Sequence, residues 1–206
     1  MLQVPVILNV NENPYPPAPE VIASIRDAVT EAAGTLNRYP DRDFGALRKD
    51  LADYLAIESG VRIPVDEVWA ANGSNEVMLH LLQAFGGPQR TVLSFLPTYS
   101  MYPEYARDTL TAWVTAPRRP DFTLDPDDAA RQVRKVRPAV VLLASPNNPT
   151  GTALPAEDLV TILEAARGGG PDGTDAIVVV DEAYGEFRRE GTPSALERRE
   201  EHPHLV

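Results

Sequence analysis

From Pro64 onward the chain alternates short apolar runs with amphipathic stretches, and no other feature of the sequence limits the possible folds so strongly. Strands are expected at about 67–71, 91–95, 111–116, 139–144 and 176–181, with helical patterns near 75–85, 99–107, 126–136 and 155–167. Such alternation folds as an α/β domain with a mostly parallel sheet flanked by helices, because each parallel crossover needs a connecting element that then covers a sheet face. The runs 139–144 and 176–180 are apolar at every position, as required of strands buried on both sides. Ligands of such sheets bind beyond the carboxyl ends of the strands. The polar residues that follow each strand therefore carry most of the functional information.

The segment before Pro64 is organised differently. Residues 9–17 are turn formers and prolines, which suits an extended arm. Val21, Ile22, Ile25, Ala28 and Val29 recur at helical spacing after Pro19, a residue suited to a helix start. A second amphipathic stretch runs from Phe44 to Ile57 through Leu47, Leu51, Tyr54 and Leu55, with Arg48 and Lys49 on its wet side. The expected division is an arm and helix over 1–35 and one main domain over 36–206, a size that supports one good core. Gly168-Gly169-Gly170-Pro171-Asp172-Gly173 follows a helix and precedes a strand, so it lacks the helix N-terminus of a phosphate loop and reads as a flexible connector. After a charged helical stretch at 196–201, residues 202–206 look like the start of another strand.

A net charge of −11 argues against nucleic acid or anionic lipid as the main partner, since both select basic patches. There is no cysteine, hence no disulfide or thiolate metal site, and a reducing compartment such as the cytoplasm is the expected location. The first basic residue is Arg26 and the longest apolar run is about six residues, which is not the pattern of a secretory signal or a membrane span. His80, His202 and His204 show no metal-ligand spacing; His80, four residues after Glu76, reads as one half of a helix-surface pair.

Three segments at strand ends concentrate polar groups. Ala71-Asn72-Gly73-Ser74-Asn75-Glu76 leads into an amphipathic helix whose free amides and positive dipole end suit a phosphate, although Ser74 or Asn75 as a plain N-cap explains the same residues. Ser145-Pro146-Asn147-Asn148-Pro149-Thr150-Gly151 makes a rigid turn that can aim an amide at a ligand, and an Asx-type turn has the same composition. In Val178-Val179-Val180-Asp181-Glu182-Ala183-Tyr184, a carboxylate ends an apolar strand and needs a partner. Magnesium in a nucleotide site would serve, but that reading needs a Gly-Lys-Ser/Thr phosphate loop, and Lys49 and Lys135 are followed by aspartate and valine. Glu182 then reads as a structural hydrogen-bonding residue. The other cation is a protonated pyridine nitrogen, kept charged by an aspartate while neighbouring hydroxyl and amide groups bind the ring oxygen.

Taken together, Ser-Pro-Asn-Asn-Pro-Thr-Gly at 145–151 and Asp-Glu-Ala-Tyr at 181–184 resemble the fold-type I pyridoxal-phosphate aminotransferases of classes I and II. Leu8-Asn9-Val10-Asn11-Glu12-Asn13-Pro14-Tyr15 and Asn37-Arg38-Tyr39-Pro40-Asp41 narrow the resemblance to the histidinol-phosphate branch. It runs over nearly the whole chain. It implies the large domain of an aspartate aminotransferase-like fold, pyridoxal 5'-phosphate as cofactor, and small-molecule substrates: an amino donor and a 2-oxo acid. By the same resemblance, Ser74 and Asn75 hold the cofactor phosphate, Tyr99 stacks on the pyridine ring, Asn148 and Tyr184 bind its 3-oxygen, and Asp181 pairs with its nitrogen. Tyr39 is similar to a tyrosine that reaches the phosphate in the neighbouring subunit, which implies a homodimer with shared sites. Tyr15 is similar to part of an arm that covers the substrate.

The family's cofactor-anchoring lysine follows one more strand, in a Ser-Lys context, and Lys49 and Lys135 lie instead in helical patterns as ordinary solvated charges. The expectation is therefore a portion truncated before the catalytic lysine, inactive by itself. Transamination of histidinol phosphate with 2-oxoglutarate in histidine biosynthesis is the activity implied for the complete enzyme. The alternatives are a sister enzyme acting on aromatic amino acids or decarboxylating threonine phosphate, and a noncatalytic remnant.

Overall fold

The computed structural model describes residues 11–206, so Leu8, Asn9 and Val10 of the arm lie outside the described residues. The chain divides into two compact units, residues 1–44 and 45–206. In the first, α1 (Pro19–Ala33) begins on its proline, where the missing N–H is no loss. None of its residues is buried, and the apolar side chains Val21, Ile22, Ile25 and Val29 are all about half exposed or more. The helix closes through short turns, with the Gly34 and Thr35 amides donating to the Glu31 and Ala32 carbonyls.

The second unit contains α2 (Gly45–Ser59), α3 (Gly73–Phe85), β1 (Thr91–Leu96), α4 (Tyr102–Asp108), β2 (Ala112–Pro117), α5 (Pro126–Val136), β3 (Val140–Ala144), α6 (Ala156–Ala166) and β4 (Ile177–Asp181). The strands form one sheet in the order β2-β1-β3-β4, and every pair is parallel. Side chains alternate across a strand, and the core follows that period. Leu93, Phe95, Val141, Leu143 and Val178 pack with α5 and α6 on one face, whereas Val92, Val140, Leu142 and Val179 pack with α3 and α4 on the other. All of these positions are essentially sealed from solvent, which is why β3 and β4 read as unbroken apolar runs. Residues 204–206 continue the sheet beside β4: Val178 N–H donates to the His204 carbonyl and Val206 N–H to the Val178 carbonyl, each at 2.9 Å.

Two expectations need correction. Residues 67–71 are not a strand: a 3-10 turn covers Val65–Glu67, and no ladder among the described residues includes the segment that follows. Val68 and Ala70 are buried and Trp69 is exposed, so the period-2 pattern is real while the pairing is missing. The glycine-rich connector is not a loose one. Gly168 N–H donates to Asp175 Oδ1 and Gly170 N–H to the Thr174 carbonyl, both at 2.8 Å. Gly169 has no room for a side chain, because a Cβ there would stand 2.3 Å from the Ala165 carbonyl oxygen.

The strand order fixes where a ligand can sit. The chain passes from β1 outward to β2, then returns to place β3 on the other side of β1, so the direction of winding reverses between β1 and β3. Crevices form beyond the carboxyl ends of the strands at such a reversal.

Candidate functional site

A cleft of about 190 Å³ opens at that place, lined by Ser74, Asn75, Tyr99, Ala144, Pro146, Asn148, Asp181, Ala183 and Tyr184. Six side chains singled out in the sequence thus meet in one cavity, although they come from four segments of chain. The other two, Tyr15 and Tyr39, belong to the first unit and are exposed.

Asp181 reaches the cleft because β3 and β4 end in register, Ala144 opposite Asp181. The Ser145 amide donates to the Asp181 carbonyl at 3.0 Å and extends the ladder one step into the turn. Asp181 Oδ1 accepts from the Ala183 amide at 3.1 Å, and Oδ2 accepts from the Tyr102 hydroxyl at 2.9 Å. Tyr102 is fully buried. Burial and the adjacent Asp181 charge push its hydroxyl far above the ordinary tyrosine range, so it stays a donor. Sequence reasoning missed this partner. The available signal was the spacing of Tyr99, Tyr102 and Tyr105 at intervals of three, of which only Tyr99 was singled out.

The neighbouring carboxylate faces elsewhere. Glu182 accepts from Arg188 Nη1 at 3.2 Å, Ser194 Oγ at 2.7 Å and the Ala195 amide at 2.8 Å, which ties down the segment after β4. That set is the structural hydrogen-bonding role expected of it, and it leaves Asp181 as the carboxylate of the cleft.

The turn after β3 splits its two asparagines between two tasks. Asn147 is buried and braces the loop: Nδ2 donates to the Pro97 carbonyl at 3.2 Å and to Thr150 Oγ1 at 2.7 Å, while Oδ1 accepts from Arg118 at 3.0 Å. Arg118 also donates to the carbonyls of Phe95 and Phe122, and burial lowers its affinity for its proton. Gly151 closes the turn at φ +70°, a conformation that favours glycine. Held in this way, Asn148 lines the cleft and donates from Nδ2 to the Tyr184 hydroxyl at 3.4 Å. An amide and a phenol thus stand together beside the carboxylate.

The cleft is also lined by the start of α3. Its N-cap is Asn72, with no side-chain cap, so Ser74 and Asn75 lie inside the first turn and neither is the N-cap. Glu76 accepts from the Asn72 amide at 2.6 Å, and His80 accepts at Nδ1 from the Trp69 indole at 3.1 Å. Each has a different partner, which replaces the Glu76–His80 surface pair expected from their spacing. Asn75 Oδ1 accepts from the hydroxyls of Tyr105 at 2.6 Å and Tyr99 at 3.2 Å. The first-turn amides of a helix have no partners within it and carry its positive dipole end. The cleft therefore offers an anion site at the start of α3, the carboxylate of Asp181, the ring of Tyr99, and an amide with a phenol from Asn148 and Tyr184. That set complements a flat, cationic nitrogen heterocycle carrying a ring oxygen and an anionic arm.

The comparisons with known proteins agree with this chemistry. The family model for aminotransferase class I and II matches residues 4–206. The chain is 58% identical over its whole length to a histidinol-phosphate aminotransferase of Bifidobacterium longum, 54% of which is covered, and 53% identical to one of Thermobifida fusca, 53% of which is covered. Among solved structures, an aspartate aminotransferase double mutant of Thermus thermophilus superposes with TM-score 0.79 at 25% identity, over 95% of this chain and 50% of that one. A histidinol-phosphate aminotransferase of Sinorhizobium meliloti, solved in complex with pyridoxal 5'-phosphate, superposes with TM-score 0.71 at 25% identity, over 92% of this chain and 47% of that one. The chain spans about half the length of these relatives. By sequence along nearly its full extent, and by the fold that carries its cleft, it belongs to the aminotransferase class I and II family.

Proposed function

We propose that the cleft holds pyridoxal 5'-phosphate, and that the complete protein transfers an amino group from histidinol phosphate to 2-oxoglutarate or, in the reverse direction, from glutamate, in histidine biosynthesis. One observation carries the reading: residues 74, 75, 99, 148, 181 and 184 converge on one cleft whose donors and acceptors match that cofactor. The named relatives supply the substrate.

In this reading Asp181 keeps the ring nitrogen protonated, Asn148 and Tyr184 donate to the 3-oxygen, Tyr99 stacks on the ring, and Ser74 and Asn75 bind the phosphate at the start of α3. When bound, the cofactor supplies an electron sink for carbanion chemistry at the substrate's α-carbon. Tyr39 reaches the phosphate of a neighbouring subunit in a homodimer, and Tyr15 covers the substrate. The compartment is the cytoplasm. The division of labour between an arm and helix over 1–35 and a cofactor-binding domain over 36–206 belongs to the same proposal.

Neither lysine of the chain lines the cleft. Lys49 pairs with Asp53 on α2 at 2.6 Å, and Lys135 stands in the last turn of α5. We therefore expect this chain alone to bind the cofactor without turnover. A transamination assay of the complete protein, comparing histidinol phosphate with phenylalanine and supplemented with a threonine-phosphate decarboxylation assay, tests the substrate. A kcat/KM at least tenfold higher for histidinol phosphate supports the proposal. A preference for either other substrate, or no activity on all three, overturns it.

A further inference from the structure

We propose that α4 positions both ends of the cleft from behind its lining, Tyr102 by holding the carboxylate of Asp181 and Tyr105 by holding the amide of Asn75. The inference rests on the cofactor reading above and concerns two residues that do not touch the cavity. They stand three positions apart, so they share one face of a helix, and both are buried. Their hydroxyls donate to Asp181 Oδ2 at 2.9 Å and to Asn75 Oδ1 at 2.6 Å, joining α4 to residues 79 and 30 positions away in sequence.

At the carboxylate, Tyr102 and the Ala183 amide take one oxygen each. A carboxylate has about four acceptor positions, so two donors fix its plane and leave capacity for a ligand N–H. At the other end, Tyr105 and Tyr99 both donate to Asn75 Oδ1. With that oxygen committed, Nδ2 is the atom of this side chain that can donate to a ligand, and a donor is what an anionic arm requires. Burial and nearby Tyr99 and Asp181 hold the Tyr105 hydroxyl in its protonated form, as burial and Asp181 do for Tyr102. The rings of Tyr99 and Tyr102 meet edge to face, with centroids 5.6 Å apart and planes at 85°. Tyr99 thus packs its ring against Tyr102 and shares the acceptor Asn75 Oδ1 with Tyr105.

The arrangement makes a separable forecast for two probes that need no lysine. Pyridoxamine 5'-phosphate uses both ends of the cleft, whereas inorganic phosphate, measured as its competitor, uses only the α3 end. Tyr102→Phe should weaken pyridoxamine 5'-phosphate about tenfold and leave the competing phosphate constant within about twofold, that retained constant showing that the variant is folded. Tyr105→Phe should weaken both probes, each by several-fold. The inference is overturned if either variant binds its probes as the wild-type chain does, or if both variants lose both probes equally, which would mean general loosening. Failure of the wild-type chain to bind pyridoxamine 5'-phosphate overturns the cofactor reading and this inference with it. Wild-type binding that Tyr102→Phe leaves intact overturns the inference alone.

Discussion

The two edges of the sheet use similar residues for opposite ends. At the carboxyl edge, the turn after β3 carries Asn147 and Asn148 and the end of β4 carries Asp181, followed by Glu182, and each pair places one polar side chain, Asn148 or Asp181, in the cleft while its neighbour, Asn147 or Glu182, braces the loop. At the amino edge, the glycine-rich turn 168–173 bonds to its immediate flanks, Ala166, Thr174 and Asp175, and Arg167 donates to the Glu201 carbonyl at 2.7 Å beside the buried His202. Turn composition alone does not separate a binding loop from a structural one. The separation comes from topology, because only the carboxyl edge lies where the winding reverses.

Substitutions can break or sharpen that contrast. The largest effect is expected at the amino edge. Gly169→Ala forces a methyl group against the Ala165 carbonyl oxygen and should cost about 3 kcal/mol of stability, read as a lowered urea midpoint. Where the variant is folded, pyridoxamine 5'-phosphate affinity should be unchanged. At the carboxyl edge, Arg118→Ala removes the donor from Asn147 and two carbonyls. It should cost about 2 kcal/mol in the same unfolding measurement and, unlike Gly169→Ala, also weaken that probe several-fold.

A smaller effect is expected with pH. Burial, then the Arg167 charge, holds the His202 imidazole below its ordinary value of 6.5, with Glu164 and Glu201 opposing and His204 assisting. Its folded-state value being depressed, the unfolded chain takes up the proton first. The stability contributed by neutral His202 is therefore complete above pH 6.5 and is lost as pH falls through 6.5 toward the lower folded value. Thermal midpoints should fall over that interval in the wild-type chain and less so in His202→Gln. The smallest effect is at Lys49, whose ion pair with Asp53 is solvent-exposed. Lys49→Ala should leave both the unfolding midpoint and probe binding unchanged, since exposed pairs contribute little.

Four strands and the helices between them were legible because apolar runs and helical periods report burial directly. Residues 67–71 show where that signal stops: Val68 and Ala70 alternate with Trp69 as in a strand, but alternation records which side is buried and carries no information about a ladder partner. The cleft was legible as a list because Ser74, Asn75, Asn148, Asp181 and Tyr184 each sit at the end of a strand or the start of a helix, where side chains can face a ligand. Its supports were not. Tyr102 meets Asp181 across 79 positions and Arg118 meets Asn147 across 29, so each contact exists only once the sheet has assembled. The exposed apolar side of α1 adds the same lesson, since its period announces a helix and leaves its partner unspecified.

The most direct measurement of the central claim is the affinity of this chain for pyridoxamine 5'-phosphate before and after Asp181→Asn. The substitution keeps the shape of the side chain and removes the charge that the proposal pairs with the ring nitrogen. Measurable binding to the wild-type chain, weakened at least about tenfold in the variant with its unfolding midpoint little changed, is the expected result. Equal affinity in the two proteins would contradict the assignment of Asp181, and absence of binding to the wild-type chain would contradict the cleft as a cofactor site.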